Sequence, residues 1–215
     1  LNSCAFEVIE GDVAAPPAAL RGRVFDHVIA NPPFFAAADQ PSPVSGRDVA
    51  RRAAELMNRG KYDVNVITCH LGNGCSITAV KGGRSVDTSM GFTPLEGVMM
   101  GTRTGSFDPA VLLYLAGKGV ALEALDRMVN KESGLLGISG VSNDVRDLED
   151  AAADGNERAT LALEMFAYQV RKTIGAYLAV LGGCRAIVLT GGIGENAAAM
   201  RAESLGAFMR NRPGS

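Results

Sequence analysis

Three apolar runs follow closely on one another at residues 63–69, 76–81 and 84–88, and glycine turns, Gly72-Asn73-Gly74 and Gly82-Gly83, separate them. Connections this short leave no room for a crossover helix, so the runs read as strands of an antiparallel meander. A fourth run, residues 185–190, is apolar enough for a buried strand and passes directly into Gly191-Gly192-Ile193-Gly194-Glu195-Asn196. Between these lie residues 157–181, where Leu163, Phe166, Val170, Ile174, Tyr177 and Leu181 recur at helical spacing. That is the stripe of a helix lying on a core. Strands interleaved with a long helix make an α/β chain. The 26 glycines among 215 residues, above the usual ~7%, fit tight loops between those elements.

Other segments fill in the pattern. Residues 48–58 read as a helix with Val49, Ala53, Leu56 and Met57 on one face, Asp48 as its N-cap and Gly60 as its stop. A loop carrying Gly91, Gly97, Gly101 and Gly105 comes after the meander. Asp108-Pro109 opens a helix, with the carboxylate as cap and proline at the position where its missing N–H does no harm. A short helix is expected at about 121–129 and a last one at about 195–204, with a frayed tail at 206–215, polar from Phe208. Residues 1–46 differ in character. They hold strand candidates at 6–10 and 24–30, the second ended by Asn31-Pro32-Pro33, because proline lacks the ladder donor.

Charge and cysteine usage exclude several classes. Lys plus Arg total 21 and Asp plus Glu 23, a net charge of -2, so no global positive field exists to hold nucleic acid or an anionic membrane. No apolar run is long enough to span a bilayer. Glu7, Glu10 and Asp12 argue against a secretory leader, and the start at Leu1 fits a fragment. Cys4, Cys69, Cys75 and Cys184 form no CxxC pair, and His27 and His70 lie far apart. No metal site is expected, and reduced thiols in a cytoplasmic protein are the expectation.

Three glycine-rich elements could carry chemistry. His70-Leu71-Gly72-Asn73-Gly74 lets backbone N–H groups approach an anion without Cβ interference, with Asn73 and Ser76 as further donors; it also fits an ordinary hairpin turn. Gly191 to Asn196 brings a helix start to the end of a buried strand, where a nucleotide phosphate or ribose could sit. It is neither GxGxxG, since Ala197 stands at the third glycine's place, nor a P-loop, and a tight strand-to-helix connection explains it equally. Met100-Gly101-Thr102-Arg103-Thr104-Gly105 holds one arginine among small residues. A guanidinium suits a phosphoryl group in transit, although an exposed loop arginine would look the same. Asn143-Asp144-Val145-Arg146 either contacts a nucleotide or caps the next helix. Asp87 either meets a metal-bound phosphate or forms an Asx turn.

Val64 to Gly74, Ser85 to Pro94, Met99 to Arg103, Asn130 to Gly137, Asn143 to Arg146 and Thr190 to Asn196 together resemble the acetate kinase family, in family order, over residues 50–205. The resemblance implies a nucleotide-binding lobe of the actin-like, ribonuclease H-like fold of acetate and sugar kinases, in a domain at 47–205. It implies ATP plus acetate giving ADP plus acetyl phosphate, with Mg²⁺, in a homo-oligomer. Carried over residue by residue, His70, Leu71, Gly72, Asn73 and Gly74 would contact ATP phosphates. Asp144, Val145 and Arg146 with Gly192, Ile193, Gly194, Glu195 and Asn196 would hold the adenosine side. Arg103 would stabilise the transferring phosphoryl, and phosphoryl transfer does ask for positioning and positive charge more than for a covalent catalyst. The family's FDTAFH and FHGTSH motifs, with a catalytic aspartate and histidine, do not occur in this sequence, nor does its C-terminal stretch with a magnesium-linked glutamate. Impaired activity is therefore expected.

Residues 1–46 resemble something else. Asn31-Pro32-Pro33-Phe34, with Glu10-Gly11-Asp12-Val13 and the strand before it, is similar to the NPP[FY] motif of S-adenosylmethionine-dependent adenine-N6 methyltransferases. There an Asn side chain and a proline-flanked carbonyl accept from the target amine while the aromatic ring stacks on an extruded base. The glycine-rich cofactor loop of that Rossmann-like fold is not found upstream, and a strand ending at a Pro-Pro turn explains the string as well. The implied picture is a join of two incomplete enzymes with a seam near 46–55. The alternative function is a methyltransferase-derived fragment binding S-adenosylmethionine or tRNA.

Overall fold

The sheet is built outward from β1, Asn65–Leu71, whose residues face two different cores in alternation. In the computed structural model, which describes residues 46–60 and 63–209, Val66 packs on one side of the sheet with Val80, Ala186 and Val188. Ile67, Cys69 and Leu71 pack on the other with Ile77, Ala79, Ile187 and Leu189. β2 (Cys75–Lys81) and β3 (Arg84–Thr88) continue from β1 as the expected antiparallel meander. β4 (Ala186–Thr190) lies parallel to β1, so the sheet is mixed and runs β3-β2-β1-β4. β3 is exposed along its length, which Arg84, Ser85, Asp87 and Thr88 allow, and a register shift at Ala79/Val80 bends its pairing.

One helix covers each face. α1, Gly46–Leu56, buries Val49, Ala50, Ala53 and Ala54, with Met57 just past its end, against Val64, Val66 and Val80. It starts two residues before Asp48, the expected cap, and ends before Gly60. The stop is instead Asn58 at φ 53: Arg59 N–H donates to Ala54 O and Asn58 N–H to Glu55 O, a left-handed cap that asparagine tolerates. α6, Glu157–Leu181, covers the opposite face over its expected length, about 37 Å at ~1.5 Å per residue. Phe166, Val170, Ile174, Tyr177 and Leu181 are buried, with Leu163 packed at the margin. Asn156 accepts from Arg158 N and Ala159 N at its start, and Gly182 at φ 68 closes it.

The segment between β3 and α6 carries α2 (Ala110–Gly117), α3 (Leu122–Lys131), α4 (Gly134–Ser139) and α5 (Val145–Ala153). Asp108 Oδ1 accepts from Ala110 N–H at 2.9 Å while Pro109 already has helical backbone angles, as its position in the sequence requires. α4 leaves no mark on the sequence pattern, because six residues with glycine at both turns give no periodic signal. The helix expected at 195–204 is two helices, α7 (Gly191–Asn196) and α8 (Ala198–Met209), broken at Ala197. The frayed tail expected from residue 206 is helical to Met209. The methyltransferase-like strands, Asn31 to Phe34 and Cys4 lie outside the described residues, and the expected seam at 46–55 falls within α1.

Candidate phosphate-binding site

Parallel pairing sets the site. His70 stands opposite Thr190 in the β1–β4 ladder, so the hairpin loop after β1 and the glycine turn after β4 leave the sheet side by side. His70 Nδ1 lies 3.2 Å from Thr190 Oγ1. A Cβ on Gly191, which sits at φ 81, would come within 2.7 Å of Leu71 O, so only glycine lets the two loops approach this closely. The hairpin tip is closed by Gly72 N–H donating to Gly74 O, with the Cys75 thiol donating to Gly72 O.

The arginine loop reaches the same place from the segment between β3 and α6. Met99 and Met100 are buried, and Met99 N–H donates to Gln169 Oε1 on α6 at 2.6 Å. Leu135 N–H and Leu136 N–H donate to Met100 O and Gly101 O, and Ser133 N–H donates to Thr102 O. The start of α4 therefore grips residues 100–102. Gly134, at φ 63, would place a Cβ 2.1 Å from Met100 O. Arg103 Nη1 reaches to 3.4 Å from the point a Cβ on Gly74 would occupy, and donates to Pro94 O at 3.4 Å. Among the described residues no carboxylate pairs with Arg103. A half-buried guanidinium held beside the hairpin tip without a counter-ion can accept an anion.

A fourth loop joins these three. Gly101 N–H donates to Asn73 O, and Asn143 Nδ2 donates to Asn73 Oδ1 at 3.1 Å. Asn73 thus touches both the arginine loop and the loop before α5.

The remaining site residues play more varied parts. Leu71, Val145 and Gly194 are buried, which leaves their backbone rather than their side chains for a ligand. Asp144 caps α5 by accepting from Arg146 N–H and forms a two-point ion pair with the Arg146 guanidinium. That hydrogen-bonded arginine holds the Asp144 carboxyl down at about 2. In the glycine turn after β4, Gly191 N–H donates to Glu195 Oε1. Gly192 faces open space and Asn196 Nδ2 donates back to Gly192 O. Partial burial pulls the His70 imidazole below its ordinary value, opposed by nearby Glu195. Asp87 Oδ1 accepts from the N–H of the next residue, Thr88, on the exposed strand β3, one residue short of the spacing an Asx turn requires. Gln169 and Gly134 do not stand out in the sequence. A glutamine beside an apolar stripe is the only signal for the first, and nothing in the spacing marks the second.

A separate groove of about 1120 Å³ runs along α6, lined by Asp87, Glu149, Tyr168, Lys172, Tyr177 and Glu203 among others. It takes in Gly97, Val98 and Ser106 of the loop that carries Arg103, but not Arg103, the hairpin tip or the glycine turn. The loops define the site by shared hydrogen bonds rather than by depth. Among the described residues no three His, Cys, Asp or Glu groups cluster to hold a metal ion, and no helix is long and apolar enough to cross a membrane.

Known proteins are similar to this chain in sequence and fold. The chain is 60% identical over 154 residues to an acetate kinase of Methanosarcina mazei, covering 71% of this chain and 38% of that protein. It is 56% identical over 158 residues to an acetate kinase of Halothermothrix orenii, covering 73% of this chain and 40% of that one. The chain thus spans about two fifths of the length of these curated relatives. The crystal structure of Porphyromonas gingivalis acetate kinase superposes with a TM-score of 0.73 at 42% identity, over 80% of this chain and 46% of that one. A propionate kinase from Francisella tularensis gives 0.72 at 40% identity, over 83% and 48%. The mixed sheet between two helices is accordingly the actin-like fold of the acetate kinases, and these similarities lend no support to the methyltransferase reading of residues 1–46. With the sequence profile of the acetokinase family matching residues 44–210, the chain belongs to that family.

Proposed function

We propose that this chain carries the nucleotide-phosphate side of an acetate kinase and serves phosphoryl transfer between ATP and acetate. The observation that carries the reading is the meeting of the hairpin tip, the Arg103 loop and the glycine turn after β4 at one end of the sheet. In this reading the backbone N–H groups and side chains of Gly72, Asn73 and Gly74 hold the phosphates. Arg103 stabilises the negative charge that spreads over the transferring group, where a fixed cation needs no reorganisation. Gly192, Ile193, Glu195 and Asn196, with Asp144 to Arg146, stand on the nucleoside side. Magnesium enters with ATP as part of the substrate. Its oxygens would come from phosphates and water, with Glu195 the carboxylate at hand. Acetate is the acceptor by similarity to the acetate kinases of Methanosarcina and Halothermothrix.

A cytoplasmic location and a homo-oligomeric state belong to the same proposal. The partner surface in it is α2, which carries no charged residue and buries none of its side chains. Acetyl phosphate formation by the 215-residue chain alone is proposed to be weak or absent, since the chain matches about two fifths of its relatives' length. Isothermal titration with ATP tests the binding half: heat of binding at millimolar ATP is expected, and its absence rejects the reading. Whatever acetyl phosphate the wild-type chain forms, trapped as the hydroxamate, is expected to be lost in Arg103→Ala. Synthesis unaffected by the substitution would remove Arg103 from its role.

A further inference from the structure

We infer that Asn143 is a positioning residue for phosphate binding, acting by fixing which end of the Asn73 side-chain amide faces the ligand. This rests on the nucleotide-binding reading above. An asparagine amide has an oxygen that accepts and a nitrogen that donates, and rotation by half a turn exchanges them. Only the donor end is useful to a phosphate. Asn73 is exposed at a hairpin tip, where nothing on its own strand selects either orientation.

A neighbour from another loop does so. Asn143 Nδ2, a donor, meets Asn73 Oδ1 at 3.1 Å and thereby commits the oxygen. Gly101 leaves the space in which that oxygen lies, since a Cβ there would stand 2.1 Å from Asn73 Oδ1 and 3.3 Å from Asn143 Cβ. The backbone is pinned as well, by Gly101 N–H donating to Asn73 O. With oxygen and backbone both engaged, the Asn73 NH₂ is the end left to donate to an anion beside Arg103. Asn143 itself needs no contact with the ligand.

A double-mutant cycle with ADP, pyrophosphate and adenosine as probes tests this on the full chain. Asn143→Ala is expected to weaken ADP and pyrophosphate roughly tenfold, in line with a misdirected hydrogen bond to a charged group, and to leave adenosine unchanged. Added to Asn73→Ala, the same substitution is expected to do nothing more. A merely structural role would weaken all three probes together and overturn the inference. Effects that multiply in the double variant mean a direct or independent action of Asn143 and overturn it too. So does an Asn143→Ala chain that binds every probe as wild type does. Asn143→Ser, whose shorter side chain cannot span the gap, repeats the measurement should the alanine chain fold poorly. Failure of the wild-type chain to bind ADP or pyrophosphate overturns the nucleotide-binding reading, and this one with it.

Discussion

His70 stands at the junction of the hairpin and the glycine turn, opposite Thr190. Its burial favours the neutral ring, so its folded value lies below the ordinary 6.5. The associated stability is complete above the unfolded value and is lost as pH falls through the folded one. Denaturation midpoints measured between about pH 7.5 and about pH 5 should therefore fall further for wild type than for His70→Gln. Equal losses would show that the ring titrates as it does in the unfolded chain. Gly134 permits a sharper test. Its φ of 63 and the 2.1 Å approach to Met100 O make Gly134→Ala expensive, and urea denaturation should show a loss of about 2 kcal/mol or more. Binding of ATP should weaken with it, because α4 grips the loop that presents Arg103. At this scale the sequence is readable where chemistry and conformation coincide, as in Gly72-Asn73-Gly74. It is silent on Gly134, whose constraint comes from a loop over thirty positions away.

Elements are legible in proportion to their length and to the regularity of what they bury. α6 shows its whole extent, because a helix lying on a sheet must repeat apolar residues every three or four positions. Phe166 sits fully buried at its centre, and Phe166→Ala should cost about 3–5 kcal/mol in chemical denaturation. A loss under about 1 kcal/mol would mean that the core closes around the gap. Asp108→Ala should cost about 1 kcal/mol through the lost cap of α2, read in the same experiment. α7 and α4 are hidden for the opposite reason. Each is six residues long and rich in glycine, and contacts made elsewhere in the chain hold it helical. The start of α1 is misplaced by residue type alone, because Asp48 is a good cap residue, whereas the helix has already begun at Gly46.

The described residues enclose the sheet between α1 and α6, and yet leave apolar surface on the α2 side. Val111, Leu113, Tyr114 and, at the start of α3, Leu122 are exposed. A patch of this kind marks a contact surface. Sedimentation velocity should show a coefficient that rises with concentration, and Leu113→Lys should suppress the rise without lowering the denaturation midpoint. A concentration-independent coefficient would count against the proposed oligomer. The mixed topology cannot be read from the strand pattern alone, which shows the meander but not that β4 joins beside β1. The partnership between β1 and β4 also governs when the binding loops exist. His70 and Thr190 are 120 positions apart, so the edge of β1 waits for almost the entire described chain before its neighbour arrives. On a ribosome, the meander can close early from local contacts, while the cradle for phosphate takes shape only after residue 190 has cleared the exit tunnel.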